Sequence, residues 1–206
     1  MYKDKIDIKD LENITRKESM MKTEKEKMMS GELYNALSPE LSEERKQARM
    51  LFYELNSNHD LKEEARRAIL QKLLGNCGLN AWIEPPFYCD YGYTISIGDN
   101  VFINYNCTIL DPASVTIGND VLIGPNVNIY TATHSTDWQI RKQGLENAKS
   151  VTIGNDVWIG GGVIICPGVS IGDRTTIGAG SVVSKDIPSD VVAVGNPCRV
   201  IRNIKE

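Results

Sequence analysis

The chain has 206 residues, of which 41% are hydrophobic and 24% charged, with 23 Lys and Arg against 27 Asp and Glu. That is enough length and apolar material for one domain with a small appendage, and it excludes a chain disordered throughout. A net charge of -4 argues against a nucleic-acid partner. No apolar run approaches the ~18 residues of a membrane span, and the first residues show no apolar core of a signal peptide. The five cysteines have no C-x-x-C spacing, so neither a disulfide framework nor a metal site is expected. A reducing, cytoplasmic setting fits this composition.

Charge and glycine divide the chain. Residues 1–74 carry 30 charged side chains and a single glycine, Gly31; residues 75–206 carry 20 charged side chains and 16 glycines. The first part reads as solvated helices and the second as turn-rich and periodic.

In chain order, the stretch EKEKMM from Glu24 to Met29 is a good helix former. Ser42 is the expected cap of a second helix, with Glu43 and Glu44 in its first turn, where the helix dipole favours acids. Ala48, Leu51, Phe52 and Leu55 form its apolar stripe, and Asn56-Ser57-Asn58 breaks it. Asp60 is the expected cap of a third helix, with Glu63 three residues on and Gly75 at its end. Leu61, Ala65, Ile69, Leu73 and Leu74 are its expected apolar face. Stripes this narrow make no core alone, so the helices should pack on the remaining chain.

Beyond them lies a repeat. Aliphatic residues return at Ile97, Ile103, Ile109, Ile117, Ile123, Ile129, Ile153, Ile159, Ile165, Ile171, Ile177 and Val183. Four places after each stands a small or branched residue: Val101, Cys107, Ala113, Val121, Val127, Thr133, Val157, Val163, Val169, Thr175, Ser181 and Ile187. Glycine follows most of the aliphatic residues and reads as a turn former. A period of six fits neither a helix nor a plain strand. It fits a solenoid of short strands and tight turns, each Ile stacked on the next coil's Ile at about 4.8 Å.

The phase breaks twice. Two residues are inserted near Asp111-Pro112. Between Ile129 and Ile153, polar residues (Ser135, Arg141, Asn147) occupy the register positions, so 135–150 reads as an excursion loop. A long loop thrown from a regular scaffold points to function.

The hexads resemble those of the hexapeptide-repeat acyltransferases. TEKEKMMSGELYNA, FYCDYGY, NYNCTILD, IYTATH, VTIGNDVWIGGG and VGNPCRVIR resemble its maltose and galactoside O-acetyltransferase branch, over about Thr23 to Ile204. The resemblance implies a mainly β fold, a left-handed parallel β-helix with an N-terminal α-helical cap. The handedness comes from the family, since the general crossover rule would give the opposite hand. The implied parts are an extension over 1–22, the cap over 23–76, and the β-helix over 77–206 with excursion loop 135–150 and a C-terminal tail. Residues 1–22 have no counterpart in the family and are either a disordered tag or an extended start. IYTATH is nearer the maltose type, and Ala36 stands where galactoside enzymes carry an acid.

The implied activity is transfer of acetyl from acetyl-CoA to a hydroxyl of a maltose- or glucose-like sugar, at the 6-position. A thioester is already activated, so direct attack needs only a base, donors for the oxyanion and a cationic grip on the coenzyme. Of the two histidines, His59 lies in a helix–helix turn and reads as a surface or packing residue. His134 interrupts the repeat at the edge of the excursion, and the resemblance makes it the base. The family matches put sugar contacts at Arg45, Asp90, Asn104 and Asp111. They put coenzyme contacts at Asn104, Trp158, Gly161, Ala179, Ser184, Lys185, Arg199 and Arg202. Cations late in the chain suit the pyrophosphate and 3′-phosphate. Read from residue type alone, Asn104 and Asn106 are turn residues, Asp90 and Asp111 loop acids, Arg45 half of a surface ion pair and Trp158 an outward packing group.

Other classes compete with this one. A cysteine nucleophile lacks a visible base: Cys107 falls inward, and Cys166 and Cys198 lie outward or in the tail. A zinc enzyme on this scaffold needs three histidines, and the repeat has one. A non-enzymatic solenoid surface would want sustained Thr rows, of which Thr131 and Thr133 are a fragment. Within the enzyme class the alternative is another hydroxyl acceptor, a galactoside or other small molecule. Outward Trp158, Ile164 and Val182 point to a homotrimer with sites between subunits.

Overall fold

The computed structural model describes residues 22–58 and 60–205. The extension, apart from Lys22, and His59 lie outside the described residues.

Helix α1 (Glu24–Met29) opens with a capping box, in which Thr23 and Glu26 satisfy each other's backbone N–H groups. Helix α2 (Pro39–Ser57) starts earlier than Ser42. Ser38 is its cap, accepting from Leu41 N, and Pro39 sets the first helical φ. Ser42 therefore sits inside the first turn. Helix α3 (Glu63–Leu73) is not capped by Asp60; Lys62 holds the cap position with no side-chain bond. Its face is also rotated from expectation, with Ala65 exposed and Arg66 buried beside Ile69, Leu70 and Leu73.

The rotation has a cause in the solenoid. Neighbouring coils bond in both directions: Phe102 N donates forward to Val121 O and Leu122 N to Val157 O, while Val115 N donates back to Thr94 O and Asn126 N to Tyr105 O. The first coil therefore has carbonyls with no coil before them, and buried carbonyls need partners. Arg66 Nη1 donates to Ile83 O at 3.0 Å with its guanidinium over the Trp82 ring. Asn56 Nδ2 donates to Phe87 O at 2.9 Å, while its Oδ1 accepts from Phe87 N. The helices thus close the open end of the stack.

Three parallel faces build the solenoid. One stacks Asn76–Cys77, Ile95–Ile97, Val115–Ile117, Val151–Ile153 and Ser170–Ile171. The second runs Trp82–Ile83, Phe102–Ile103, Leu122–Ile123, Trp158–Ile159, Thr176–Ile177 and Val191–Val194, and ends in the antiparallel strand Arg199–Asn203. Phe87–Cys89, Cys107–Leu110, Asn128–Tyr130, Ile164–Ile165 and Val182–Val183 form the third. Ile103, Ile123, Ile159 and Ile177 pair in register up one face, and every residue of the aliphatic series is buried.

The companion series is buried except at Ala113 and Thr133, which flank the two phase breaks. Thr131 turns inward instead, donating to Leu110 O at 2.9 Å and accepting from Ala113 N at 3.0 Å. The repeated glycines serve a different end from the one expected. Residues with positive φ at one corner are Asn100, Asp120 and Asp156, not the preceding glycines. Gly118 is needed for close approach, since a Cβ there would lie 2.7 Å from the Gly154 carbonyl carbon.

The excursion is a hairpin. Ala132–His134 pairs antiparallel with Leu145–Ala148, and the short helix α4 (Trp138–Arg141) sits between them. The second strand also pairs with Tyr34–Asn35, so the loop is bound to this chain's own cap. No helix among the described residues is long and apolar enough to cross a membrane.

Gly118→Ala should lower stability by about 1–3 kcal/mol, the cost of overpacking a tight site. A thermal melt checks this, and an unchanged Tm would show that the coils are not in close contact there.

Candidate active site

The cap, the turn after Phe87–Cys89 and the excursion hairpin enclose a cleft of about 360 Å³. His134, at the end of its strand, forms one wall with Glu146. These two are direct cross-strand partners, with His134 Nε2 3.9 Å from Glu146 Oε1. Tyr34 donates its hydroxyl to Glu146 Oε2 at 3.2 Å. A second cleft of about 460 Å³, lined by Thr133, Asn147 and Lys149 among others, opens beside His134 as well. The imidazole can therefore be approached from two sides.

Asp90 faces the first cleft together with Arg45 and Arg49 from α2. Burial, reinforced by the charge of Asp111 and opposed by Arg45, pushes its carboxyl up to about 6. Arg45 spans the wall: Nη1 donates to Tyr91 Oη at 2.6 Å and Nη2 to Ala36 O at 2.5 Å. It is a strut between cap and solenoid, with its donors largely engaged by protein.

Asp111 is fully buried, unlike a loop acid open to a sugar. Its Oδ1 accepts from Asp90 N (2.8 Å) and Tyr91 N (3.0 Å), and its Oδ2 from Gly92 N (2.7 Å). Thr94 Oγ1 also donates to it. Burial pushes this carboxyl up while those donors pull it down. A group so enclosed fixes the turn that carries Asp90. The two-residue insertion near Asp111-Pro112 is the sequence trace of this arrangement.

The residues matched to the coenzyme lie elsewhere. Trp158 stands outward on the second face, between Leu122 and Thr176, and is 56% exposed. Gly161 and Ala179 follow at the neighbouring corner, where Gly161 O accepts from Gly180 N. Ser184, Lys185, Arg199 and Arg202 are exposed on the last coils. Asn104 keeps its side chain local, accepting from Tyr105 N at 2.7 Å. None of these lines either cleft at His134. A single chain therefore separates the histidine from the late cations.

Cys198 is buried rather than a tail thiol in the open, and burial raises its thiol as it does that of Cys107. Neither is poised as a thiolate nucleophile. Among the described residues no group of His, Cys, Asp and Glu is placed to hold a metal. Glu146, Tyr34, Tyr91 and Arg49 were not singled out by sequence. For Glu146 the available signal was the hairpin itself, since only antiparallel pairing puts residue 146 beside residue 134.

The solenoid of hexads and the helical cap that closes it each match a known protein family. Residues 27–78 match the maltose acetyltransferase hexapeptide capping motif. Residues 150–185 match the bacterial transferase hexapeptide (six repeats), and 94–131 the hexapeptide repeat of succinyl-transferase. The chain is 46% identical over 181 residues to galactoside O-acetyltransferase of Escherichia coli, covering 88% of this chain and 89% of that one. It superposes on a maltose O-acetyltransferase from Clostridium difficile with a TM-score of 0.88 at 50% identity, covering 90% and 99% of the two chains. A galactoside acetyltransferase in complex with coenzyme A gives 0.86 at 45% identity, with 89% and 92% covered. The protein belongs to the maltose/galactoside O-acetyltransferase branch of the hexapeptide-repeat acyltransferases.

Replacing Asp111 with Ala strands several buried donors at once, so a loss of about 2–4 kcal/mol is expected. Denaturant unfolding measures it; a variant as stable as the parent would mean that the 90–94 turn is held by other contacts.

Proposed function

We propose that this protein transfers acetyl from acetyl-CoA to the 6-hydroxyl of a maltose- or glucose-like sugar, with His134 as general base. The observation that carries the reading is His134 at the wall of a polar cleft furnished with Asp90, Glu146, Arg45 and Arg49. Carboxylates accept sugar hydroxyls and arginines donate to sugar oxygens, so the lining suits a polyol. Relatives named for maltose and galactoside acetyl transfer, one with bound coenzyme A, support the chemistry.

In the reaction the sugar hydroxyl gives its proton to His134 as its oxygen attacks the thioester carbonyl carbon. The new C–O bond forms and negative charge collects on the carbonyl oxygen, where the Gly161 N–H is the proposed donor. Collapse breaks the C–S bond, and the departing thiolate takes the proton from His134. Asp90 is the proposed sugar ligand in the cleft, with Arg45 and Asp111 setting its surroundings. Asn104 is proposed to contact substrate or coenzyme.

Trp158, Gly161, Ala179, Ser184, Lys185, Arg199 and Arg202 are proposed to hold the coenzyme. They lie away from this chain's His134, so a second copy must bring them to it. A homotrimer does so if the outward column that includes Leu122 and Trp158, both about half exposed, packs against a neighbour. The proposed division of labour is an acceptor cleft built by the cap (23–76) and a donor groove on the β-helix (77–206). Five free cysteines accord with a reducing, cytoplasmic setting. Ala36 in the cleft wall, at a position acidic in galactoside enzymes, favours glucosides over galactosides.

His134→Ala should lower kcat about 10²–10⁴-fold with acetyl-CoA affinity nearly unchanged. Thiol release over a panel of glucosides, galactosides and other alcohols measures both base and acceptor. Full activity in the variant would remove the mechanism, and a galactoside preference would redirect the acceptor.

A further inference from the structure

Glu146 occupies the middle of a polar row. Its strand, Leu145–Ala148, lies between Tyr34–Asn35 and Ala132–His134, and the residues directly opposite it are Tyr34 on one side and His134 on the other. Directly opposed residues of antiparallel strands share a face at about 4.5–5.5 Å between Cβ atoms. Register alone therefore gathers the three side chains. Tyr34 is 1% exposed and donates to Oε2. Burial, then the Glu146 charge, holds its phenol far above the ordinary range, so it remains a donor. With Oε2 anchored, Oε1 is the oxygen turned toward His134 Nε2, 3.9 Å away.

We propose that Glu146 is the positioning residue of His134: anchored by Tyr34, its carboxylate accepts the ring N–H that faces it and leaves the other ring nitrogen unprotonated for the acceptor hydroxyl. This rests on His134 being the base. An imidazole carries one N–H when neutral, and the partner of that N–H decides which nitrogen is the base. When the hydroxyl proton arrives, the ring becomes an imidazolium next to a carboxylate, and its charge is stabilised as it forms. A carboxylate orienting a catalytic histidine in this way keeps its own charge and takes no proton. The gap to a formed hydrogen bond is about 1 Å, a tightening that occupied active sites commonly show. Because Tyr34 belongs to the cap, docking of the cap sets the orientation of a base carried on another element.

The test is a double-mutant cycle on the full-length protein, with kcat, both KM values and Tm measured for each variant. Glu146→Gln keeps the size and the carbonyl that Tyr34 reaches but removes the charge. It should lower kcat about 10- to 100-fold while both KM values stay within about threefold. Tyr34→Phe, which leaves Glu146 and the register in place, should lower kcat by a smaller factor in the same pattern. In the His134→Ala background, Glu146→Gln should change kcat by less than about twofold, because its effect runs through the histidine. The proposal is overturned by an equal loss in both backgrounds, by a raised sugar KM at unchanged kcat (a direct sugar ligand), or by full activity of Glu146→Gln. Should Glu146→Gln melt well below the parent, Tyr34→Phe decides, and an unchanged kcat there overturns the row. Full activity of His134→Ala would instead overturn the assignment of the base, a separate outcome.

Discussion

The hydrogen bonding between coils governs the rest of the molecule. Each coil exchanges N–H and carbonyl groups with the coils on either side and stacks its inward aliphatic residue on theirs, so the interior is continuous from Ile97 to Val183. Such a stack has no closure of its own, and its first coil presents carbonyls to nothing. Arg66 and Asn56 meet that need from the helices. Their placement fixes the cap over the first coils, and from there α2 and the strand Tyr34–Asn35 reach the excursion. The cleft beside His134 is thus a by-product of ending a solenoid: the element that closes the stack also walls the cleft.

Rigidity comes from two kinds of contact. Apolar stacking supplies most of the stabilisation, because nearly every inward side chain is fully removed from water. Local precision comes from buried polar groups with full sets of partners. Asp111 gathers three backbone N–H groups and a hydroxyl, and Thr131 bridges the same break in the repeat. An ionised group in such a place is tolerable only when its lone pairs are used. The irregular coil therefore ties down the turn that carries Asp90 with hydrogen bonds. By contrast the tip of the excursion, α4, buries none of its residues. His134, which lines the clefts on both sides of the hairpin, sits at the boundary between the buried and the exposed parts.

Much of this was written in the six-residue period. It placed the inward residues at once, and both of its interruptions lie at the wall of one cleft. Local signals were weaker guides to the helices. Ser42 and Asp60 have cap chemistry, yet Ser38-Pro39 outcompeted the first, and the second was displaced when α3 turned Arg66 toward the strand edge. No local pattern contains the fact that the carbonyl of Ile83 has no earlier coil to bond with and takes Arg66 instead. The glycines illustrate a similar limit. Their recurrence was plain, but the reason at Gly118 was that a Cβ there would lie 2.7 Å from a carbonyl carbon 36 positions later, not a local turn. Site residues divide in the same way. His134 stands out by breaking a pattern, whereas Glu146 and Tyr34 are brought into the cleft by a pairing between residues 112 positions apart. The handedness of the coil came from family resemblance, since periodicity does not encode it.

The central claim is that one chain's His134 works with another chain's coenzyme groove. Its most direct test mixes two inactive proteins, His134→Ala and Arg199→Ala, by co-refolding or subunit exchange, and assays acetyl transfer. Shared sites predict that the mixture regains activity, because some interfaces then pair an intact His134 with an intact Arg199. A mixture as inactive as its components, at a concentration where light scattering shows mixed trimers, would contradict the account and place base and coenzyme on the same chain.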